Sequence, residues 1–409
     1  MAWVWSVAYT GDDVSKIRDI DIIEVGDISK GENSSPWSST IIVLRLTTSD
    51  GIVGYGEAPT TLMTKPVMEE AREIARILKG KDPTDIERNM LEVYKHSFYM
   101  PESMETTSAF SAFEMASWDI MGKSYGMPVY KMLGGMLNES IKAYANGWYS
   151  DCVSAESFVK KAKEVHRAGF GAMKFDPFGD AYDTIDKKHI EHAADVVGAI
   201  KNAVKGADLL IECHGRFNAN AAISIARALE GLKPAFIEEP VHSDSIVGLK
   251  RLRDTTSIPI ALGERVMNRN LFLPYLVDDL VDILQPDITN FRGIFEGKKV
   301  AAMAESFGAE VAFHNAFGPI QTAATLNIDV TIPNFFMQES FEAFWPDWKK
   351  KVVKSGYKLE DGAYSISGKP GLGMEVNERI LEEYKVDGME PFNPDEPSWV
   401  VKGTWRHQK

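Results

Sequence analysis

Ile211-Glu212-Cys213-His214, Phe236-Ile237-Glu238-Glu239 and Ala261-Leu262-Gly263-Glu264 are successive short apolar runs, and each closes on an acid or a histidine. The pattern continues in Ile283-Leu284-Gln285-Pro286-Asp287, Val311-Ala312-Phe313-His314 and Phe336-Met337-Gln338-Glu339. A charged group at the end of a buried strand is costly unless it is paired or bound to metal. In a barrel of parallel strands the carboxyl ends are where loops build the active site. One such acid can be structural; a procession of them predicts a metal-dependent enzyme.

Working outward from these runs gives eight strand candidates: Lys142–Trp148, Ala172–Phe178, Leu209–His214, Ala235–Glu239, Ile258–Glu264, Asp282–Asp287, Glu310–His314 and Phe335–Glu339. Helical spacing separates them, as in Ala155–Ala168, His189–Val204, Asn220–Leu232 and Phe295–Phe307. Strand alternating with helix predicts a parallel sheet, and eight such units match an α/β fold of the (β/α)8, TIM-like barrel type. The first third reads differently. Asp19–Asp27, Thr40–Thr48 and Ile52–Tyr55 predict an antiparallel meander with a turn at Ser49-Asp50-Gly51. Helical spacing follows over Val67–Leu78, Pro83–Tyr94 and Ser108–Tyr125, the last ended by Gly126 and Pro128. The expected organisation is an α+β capping domain over residues 1–138, a barrel over 139–378, and a segment over 379–409 that packs back on the capping domain to cover Trp399 and Trp405.

The chain has 409 residues, 44% of them hydrophobic and 25% charged, with a formal net charge of −14. That acidity argues against nucleic acid and anionic membrane surfaces as partners. It leaves room for an anionic substrate, because a bound dication inverts the local field. Two cysteines, Cys152 and Cys213, make no disulfide framework. Cys213 alternates with Glu212 and His214 and is expected to be a core thiol. The amino terminus lacks a basic segment followed by an apolar core, and no run of about 18 apolar residues occurs, so a cytoplasmic protein is expected.

Glu212, Glu238 and Glu264 end three successive strand candidates, and neighbouring strands lie about 4.8 Å apart, so their carboxylates can converge. Three oxygen donors with open positions suit Mg2+. Glu238 and Glu239 face opposite ways, and periodicity does not choose between them. His314 and Asp287 end adjacent candidates; a carboxylate beside an imidazole fixes its tautomer and makes a better base. His214 supplies a second proton-transfer group beside Glu212. Lys174 shares a face with Asp176 and can bind a substrate carboxylate or pair with that acid. Glu339 can donate to a developing enolate if protonated, or organise the site electrostatically. His189, His192, His242 and His407 read as helix-surface or loop residues. These parts fit one chemistry. Removing the weakly acidic proton beside a carboxylate generates an enediolate that needs a metal and aimed donors. A second acid can then protonate a leaving hydroxyl on the next carbon, and the enol becomes a 2-keto-3-deoxy acid.

The order of three acids followed by Asp, His and Glu resembles the enolase superfamily, in its mandelate racemase subgroup. Tyr144-Ala-Asn-Gly-Trp-Tyr149, Lys174-Phe-Asp-Pro-Phe-Gly179, His214-Gly-Arg-Phe-Asn-Ala-Asn220, Glu238-Glu-Pro-Val-His242 and Val311-Ala-Phe-His-Asn-Ala-Phe-Gly318 resemble the archaeal D-gluconate dehydratases. The resemblance implies Glu212, Glu238 and Glu264 as Mg2+ ligands, excluding Glu239. It implies His314, assisted by Asp287, as base, and His214 as the acid that expels the hydroxyl. Lys174 and Glu339 complete the catalytic set. Asp176, Arg216 and Trp148, with Trp37 and Tyr99 in the capping loops, are the candidate substrate-binding residues. Two departures stand out: Asp176 replaces the second lysine of Lys-x-Lys found in two-base relatives, and Glu212 replaces the usual first Asp. The implied reaction is dehydration of D-gluconate by a homo-oligomer, on the family pattern an octamer. The alternatives are another aldonate such as D-galactonate, xylonate or arabinonate, a sugar-acid epimerase, or a non-catalytic sugar-acid binding protein.

Overall fold

The structure is a computed structural model, described here for residues 15–27, 40–59, 64–96 and 103–386. Its first layer is an antiparallel meander, β1 (Ile17–Gly26), β2 (Thr40–Thr48) and β3 (Val53–Ala58), in the order β1-β2-β3. Helices α1 (Thr64–Leu78), α2 (Ile86–His96) and α3 (Met104–Ser124) follow. α3 is buried nearly all round. The sheet reaches it through Gly54 and Gly56: a Cβ at Gly54 would stand 2.3 Å from the Ala116 carbonyl oxygen, and one at Gly56 would stand 1.9 Å from that of Ala112.

Strand and helix then alternate. β4 (Ile141–Ala145) leads to α4 (Ala155–Arg167), β5 (Ala172–Phe175) to α5 (Lys187–Ala203) and β6 (Asp208–Glu212) to α6 (Ala219–Leu229). β7 (Phe236–Glu238), α7 (Ile246–Arg253), β8 (Ile260–Leu262), α8 (Arg269–Val277) and β9 (Ile283–Leu284) continue the series. α9 (Ile294–Ser306), β10 (Glu310–Val311), α10 (Pro319–Asp329) and β11 (Gln338–Ser340) complete it. β4 to β10 pair in sequence, all parallel. β11 returns to pair in parallel with β4, while Phe335, just upstream, bridges Val311 of β10. The ring is therefore closed. A later hairpin, β12 (Tyr357–Glu360) and β13 (Ala363–Ile366), lies antiparallel along the start of β4 and was not read from the sequence.

One side chain from each turn of the ring fills the barrel: Tyr144, Ala172, Leu210, Phe236, Ala261, Ile283, Ala312 and Met337. Side chains alternate across a strand, so the next inward rung falls two residues later. That rule lands on Asn146, Lys174, Glu212, Glu238, Gly263, Gln285, His314 and Glu339. The sequence-predicted strands overran the hydrogen-bonded ones at this end, because the apolar pattern persists into the loops that carry this rung.

Most barrel helices begin with their own cap. Ser154, Asp186, Asn218 and Asn268 accept backbone N–H bonds at the starts of α4, α5, α6 and α8. α9 and α10 instead begin after Gly293 and Gly318, which have no side chain to offer. Acids of the first layer do the work. Glu114 of α3 accepts from Ile294 N at 2.7 Å and Phe295 N at 2.9 Å. Glu57 of β3 accepts from Ile320 N at 3.1 Å and Gln321 N at 3.2 Å. Both carboxylates sit against the glycines, where a Cβ would collide with them. At the other edge, Lys385 bridges Val25 of β1. Trp399 and Trp405 lie outside the described residues.

Gly56→Ala should destabilise the protein by about 1–3 kcal/mol, because a methyl there must push α3 off the sheet. The urea midpoint of unfolding measures it, and an unchanged midpoint would contradict the packing.

Candidate active site

The rung above the barrel plug holds an ammonium among acids. Lys174 Nζ lies 2.7 Å from Glu238 Oε1, 2.9 Å from Glu339 Oε1 and 3.1 Å from Glu212 Oε2, with all four side chains sealed from solvent. Gln285 Nε2 donates to the other oxygen of Glu238 at 2.7 Å. Burial pushes Glu238 up, Glu212 adds to the push, and its carboxyl lies well above the ordinary range. Glu212 goes the other way: burial opposes its charge, but Lys174 and then His214 hold it down to about 2. Lys174 thus does not pair with Asp176; three other acids claim it.

Glu239, one residue past the strand at φ +40°, diverges from Glu238. Its carboxylate meets Arg265 Nη1 at 2.7 Å, and the same nitrogen lies 2.6 Å from Glu264 Oε1. Glu264 is one residue off the inward rung. It reaches the centre because Gly263 precedes it with φ +150° and a Cβ there would clash with the Gln285 backbone. Its second oxygen lies 3.2 Å from His314 Nε2.

His314 Nδ1 stands 2.5 Å from Asp287 Oδ2. Asp287 is itself held by the Thr289 backbone N and hydroxyl and by Gln321 Nε2. Burial opposes a charged imidazole here, yet Glu264, then Glu339 and Asp287, lift His314 to about 10. Glu339 accepts from Asn146 Nδ2 at 2.8 Å and from Asn315 N at 2.9 Å. Burial opposes its charge, but Lys174 and then His314 lower it below the usual carboxylate range. Glu339 thus accepts at both oxygens, from Asn146 and from Asn315.

His214 was expected to share a strand face with Glu212. The strand ends at Glu212, and His214 stands in a left-handed turn at φ +53°. Its backbone N donates to Glu212 Oε1 at 2.6 Å, so the turn and not alternation sets its position. His214 Nδ1 lies 2.8 Å from Asp176 Oδ2. Burial opposes its protonation, but Glu212 and then Asp176 raise it. Strand order puts β6 and β10 four places apart in a ring of eight, so the two imidazoles rise from opposite sides of the barrel, each backed by its own carboxylate.

Packing engages two of the expected substrate-binding side chains. Arg216, 2% exposed, spends its guanidinium on both oxygens of Asp176 (2.7 and 3.1 Å) and on the Ala181 carbonyl. Asp176 is in turn the link between Arg216 and His214. Trp148, also 2% exposed, donates Nε1 to the Lys174 carbonyl and packs among Tyr149, Phe158 and Phe175 on the outer face of β5. Trp37 and Tyr99 lie outside the described residues. His189 is no surface residue; it is buried between Asp180 and Asp186. Asn146, Arg265, Gln285, Asn315 and Gln321 were missed. Counting two residues on from each core position would have found Asn146 and Gln285.

Among the described residues no three Asp, Glu, His or Cys side chains form a ready-made ion cage. No helix among them is long and apolar enough to cross a membrane.

Residues 34–134 match the mandelate racemase / muconate lactonizing enzyme N-terminal domain family, and residues 157–380 the enolase C-terminal domain-like family. The chain is 53% identical to the D-gluconate/D-galactonate dehydratase of Picrophilus torridus, over 95% of this chain and 99% of that one. It is 43% identical to the D-gluconate dehydratase of Thermoproteus tenax, over 92% of this chain and 76% of that one. A solved mandelate racemase/muconate lactonizing enzyme from Jannaschia sp. CCS1 superimposes with a TM-score of 0.85 at 31% identity, covering 92% of this chain and 99% of that one.

Replacing Asp176 by Asn should cost about 3–5 kcal/mol of stability at pH 7, since it strands the buried Arg216 charge. Urea unfolding measures this; a loss under about 1 kcal/mol, the scale of an exposed ion pair, would mean that the pair is solvated.

Proposed function

We propose a function on one premise: this chain belongs to the mandelate racemase / muconate lactonizing enzyme family of the enolase superfamily. It is a hydro-lyase that removes water from a sugar acid across C2 and C3. The observation that carries this reading is the pair of carboxylate-backed histidines on opposite sides of one acid-lined barrel mouth. His314, oriented by Asp287, takes the C2 proton; His214, oriented by Asp176, delivers a proton to the departing C3 hydroxyl. The resulting enol becomes a 2-keto-3-deoxy acid. Lys174 and Glu339 sit between the two histidine-bearing strands and set the field there, Lys174 favouring an anionic substrate. D-gluconate is the leading substrate, giving 2-keto-3-deoxy-D-gluconate. D-galactonate is the second reading, because the Picrophilus torridus relative is named for both acids.

Mg2+ is the proposed cofactor, with Glu212, Glu238 and Glu264 as its ligands. The donor set suits a hard dication: two buried carboxylates, Glu212 and Glu238, and the half-buried Glu264, each now satisfied by a cationic side chain, Lys174 or Arg265. Glu239 is left out because its carboxylate diverges from that of Glu238, outside the cluster around Lys174. Bound there, the ion would supply positive charge for the developing enediolate and would take from His314 the negative field of Glu264. Neutral imidazole is what a base requires.

A panel of D-gluconate, D-galactonate and pentonates, scored with Mg2+ for 2-keto-3-deoxy product, tests the reaction. Turnover of D-gluconate is expected; no keto acid from any member would sink the reading and favour a binding protein. In D2O, His314→Asn should lose both dehydration and C2 exchange, by at least about 10²-fold. His214→Asn should lose dehydration but keep exchange. Undiminished keto-acid formation by His214→Asn would pass the acid role to another group. Calorimetric titration with Mg2+ checks the ligands: Glu238→Gln should weaken binding strongly, and Glu239→Gln should leave it near the parent value. The reverse order would refute the assignment.

A further inference from the structure

Glu57 belongs to the first layer, yet its carboxylate is spent on the barrel. It is fully buried and accepts the N–H groups of Ile320 and Gln321 at the start of α10. Gly318 admits it: a Cβ at that position would stand 2.6 Å from Glu57 Oε1. Lys349, also sealed, donates Nζ to the Phe317 carbonyl at 3.0 Å; burial pushes Glu57 up to about 7, against the pull of the Gln321 N–H and of Lys349. A negative group at a helix N-terminus is favoured by the helix dipole and by the free N–H groups there.

The residue capped by Glu57 is the one that holds the base. Gln321 Nε2 donates to Asp287 Oδ1 at 2.9 Å and to the His314 carbonyl at 3.2 Å. Gln321 Oε1 accepts from Phe317 N at 2.9 Å. Both N–H donors and the oxygen of that amide have partners, so the side chain has one stable pose, provided its backbone is fixed. Glu57 fixes the backbone. A continuous set of hydrogen bonds thus runs from β3 through the start of α10 to Asp287 and His314.

We propose that Glu57 is a positioning residue for proton abstraction: by capping α10 it holds Gln321, and through Gln321 it holds the Asp287–His314 pair. The proposal rests on His314 being the base. The first layer then does more than pack on the barrel, since it fixes the helix start that holds the Asp287–His314 pair.

Glu57→Ala should lower kcat by about 10- to 100-fold, the scale of a displaced catalytic group, with KM for D-gluconate near the parent value. Glu57→Gln keeps an oxygen for the two N–H groups and should retain most of the activity. In Gln321→Leu the route is cut, so adding Glu57→Ala should cost little more. If Glu57→Ala does not fold, Glu57→Asp, one methylene short of the helix, takes its place with the same expected loss. A folded Glu57→Ala with parental kcat, or with only a raised KM, overturns the proposal, as do fully additive losses in the double variant. A readout free of turnover separates it from the functional reading. The downfield proton of the His314 Nδ1–Asp287 hydrogen bond, assigned by its absence in His314→Asn, should vanish or broaden in Glu57→Ala. If the parent protein turns over no sugar acid, that resonance alone decides: its persistence in Glu57→Ala refutes the positioning link.

Discussion

An ammonium buried among three carboxylates is the constraint on which the rest of the site depends. Charges without water are tolerated only when paired, and removing one partner of such a set costs several kcal/mol. Lys174 therefore obliges Glu212, Glu238 and Glu339 to face inward, and they oblige it. The set still carries more negative than positive charge, and the excess shows in Glu238, whose carboxyl is driven upward by burial and by Glu212. A site so loaded has standing affinity for positive charge. The cations around it, Lys174 at the centre and Arg265 at the rim, are single charges where a dication is proposed.

Much of this was visible in the sequence. The apolar runs ended by acids gave the barrel, because strands closed on charged residues are rare outside functional faces. Asp287 beside His314 was readable for the same reason, since both sit on the period of their strands. Alternation is a poor guide where the backbone leaves the strand period. His214 lies in a left-handed turn, and Glu264 depends on the re-aimed backbone at Gly263. Alternation puts His214 on the Glu212 side, where the turn and not the strand holds it, and puts Glu264 on the wrong side. It also could not pair Asp176 with Arg216 in place of Lys174, because that choice is made between loops, across forty residues. Trp148 shows that a tryptophan near a site need not owe its place to the ligand, since here it fills the gap between β5 and α4.

Division of labour between the two layers is equally physical. Four barrel helices carry their caps locally, and two receive them from Glu57 and Glu114. Those two acids are isolated in sequence from the helices they serve, by more than 170 residues each. No local pattern marks them. Only the bare glycines at Gly293 and Gly318, where a cap residue ought to stand, hint that something from elsewhere arrives.

Closure of the ring by β11 on β4 sets the order of events during synthesis. The first barrel strand cannot gain its second neighbour until the chain has been made as far as Ser340. Until then Ile141–Ala145 has one side unpaired, and the acids and the lysine of the inward rung have an incomplete wall around them. Loop-closure entropy for such distant partners makes formation slow. A nascent chain ending anywhere before β11 would present an open sheet edge, so the ribosome-bound intermediate, more than the finished enzyme, is where this protein is exposed to aggregation and to chaperone capture.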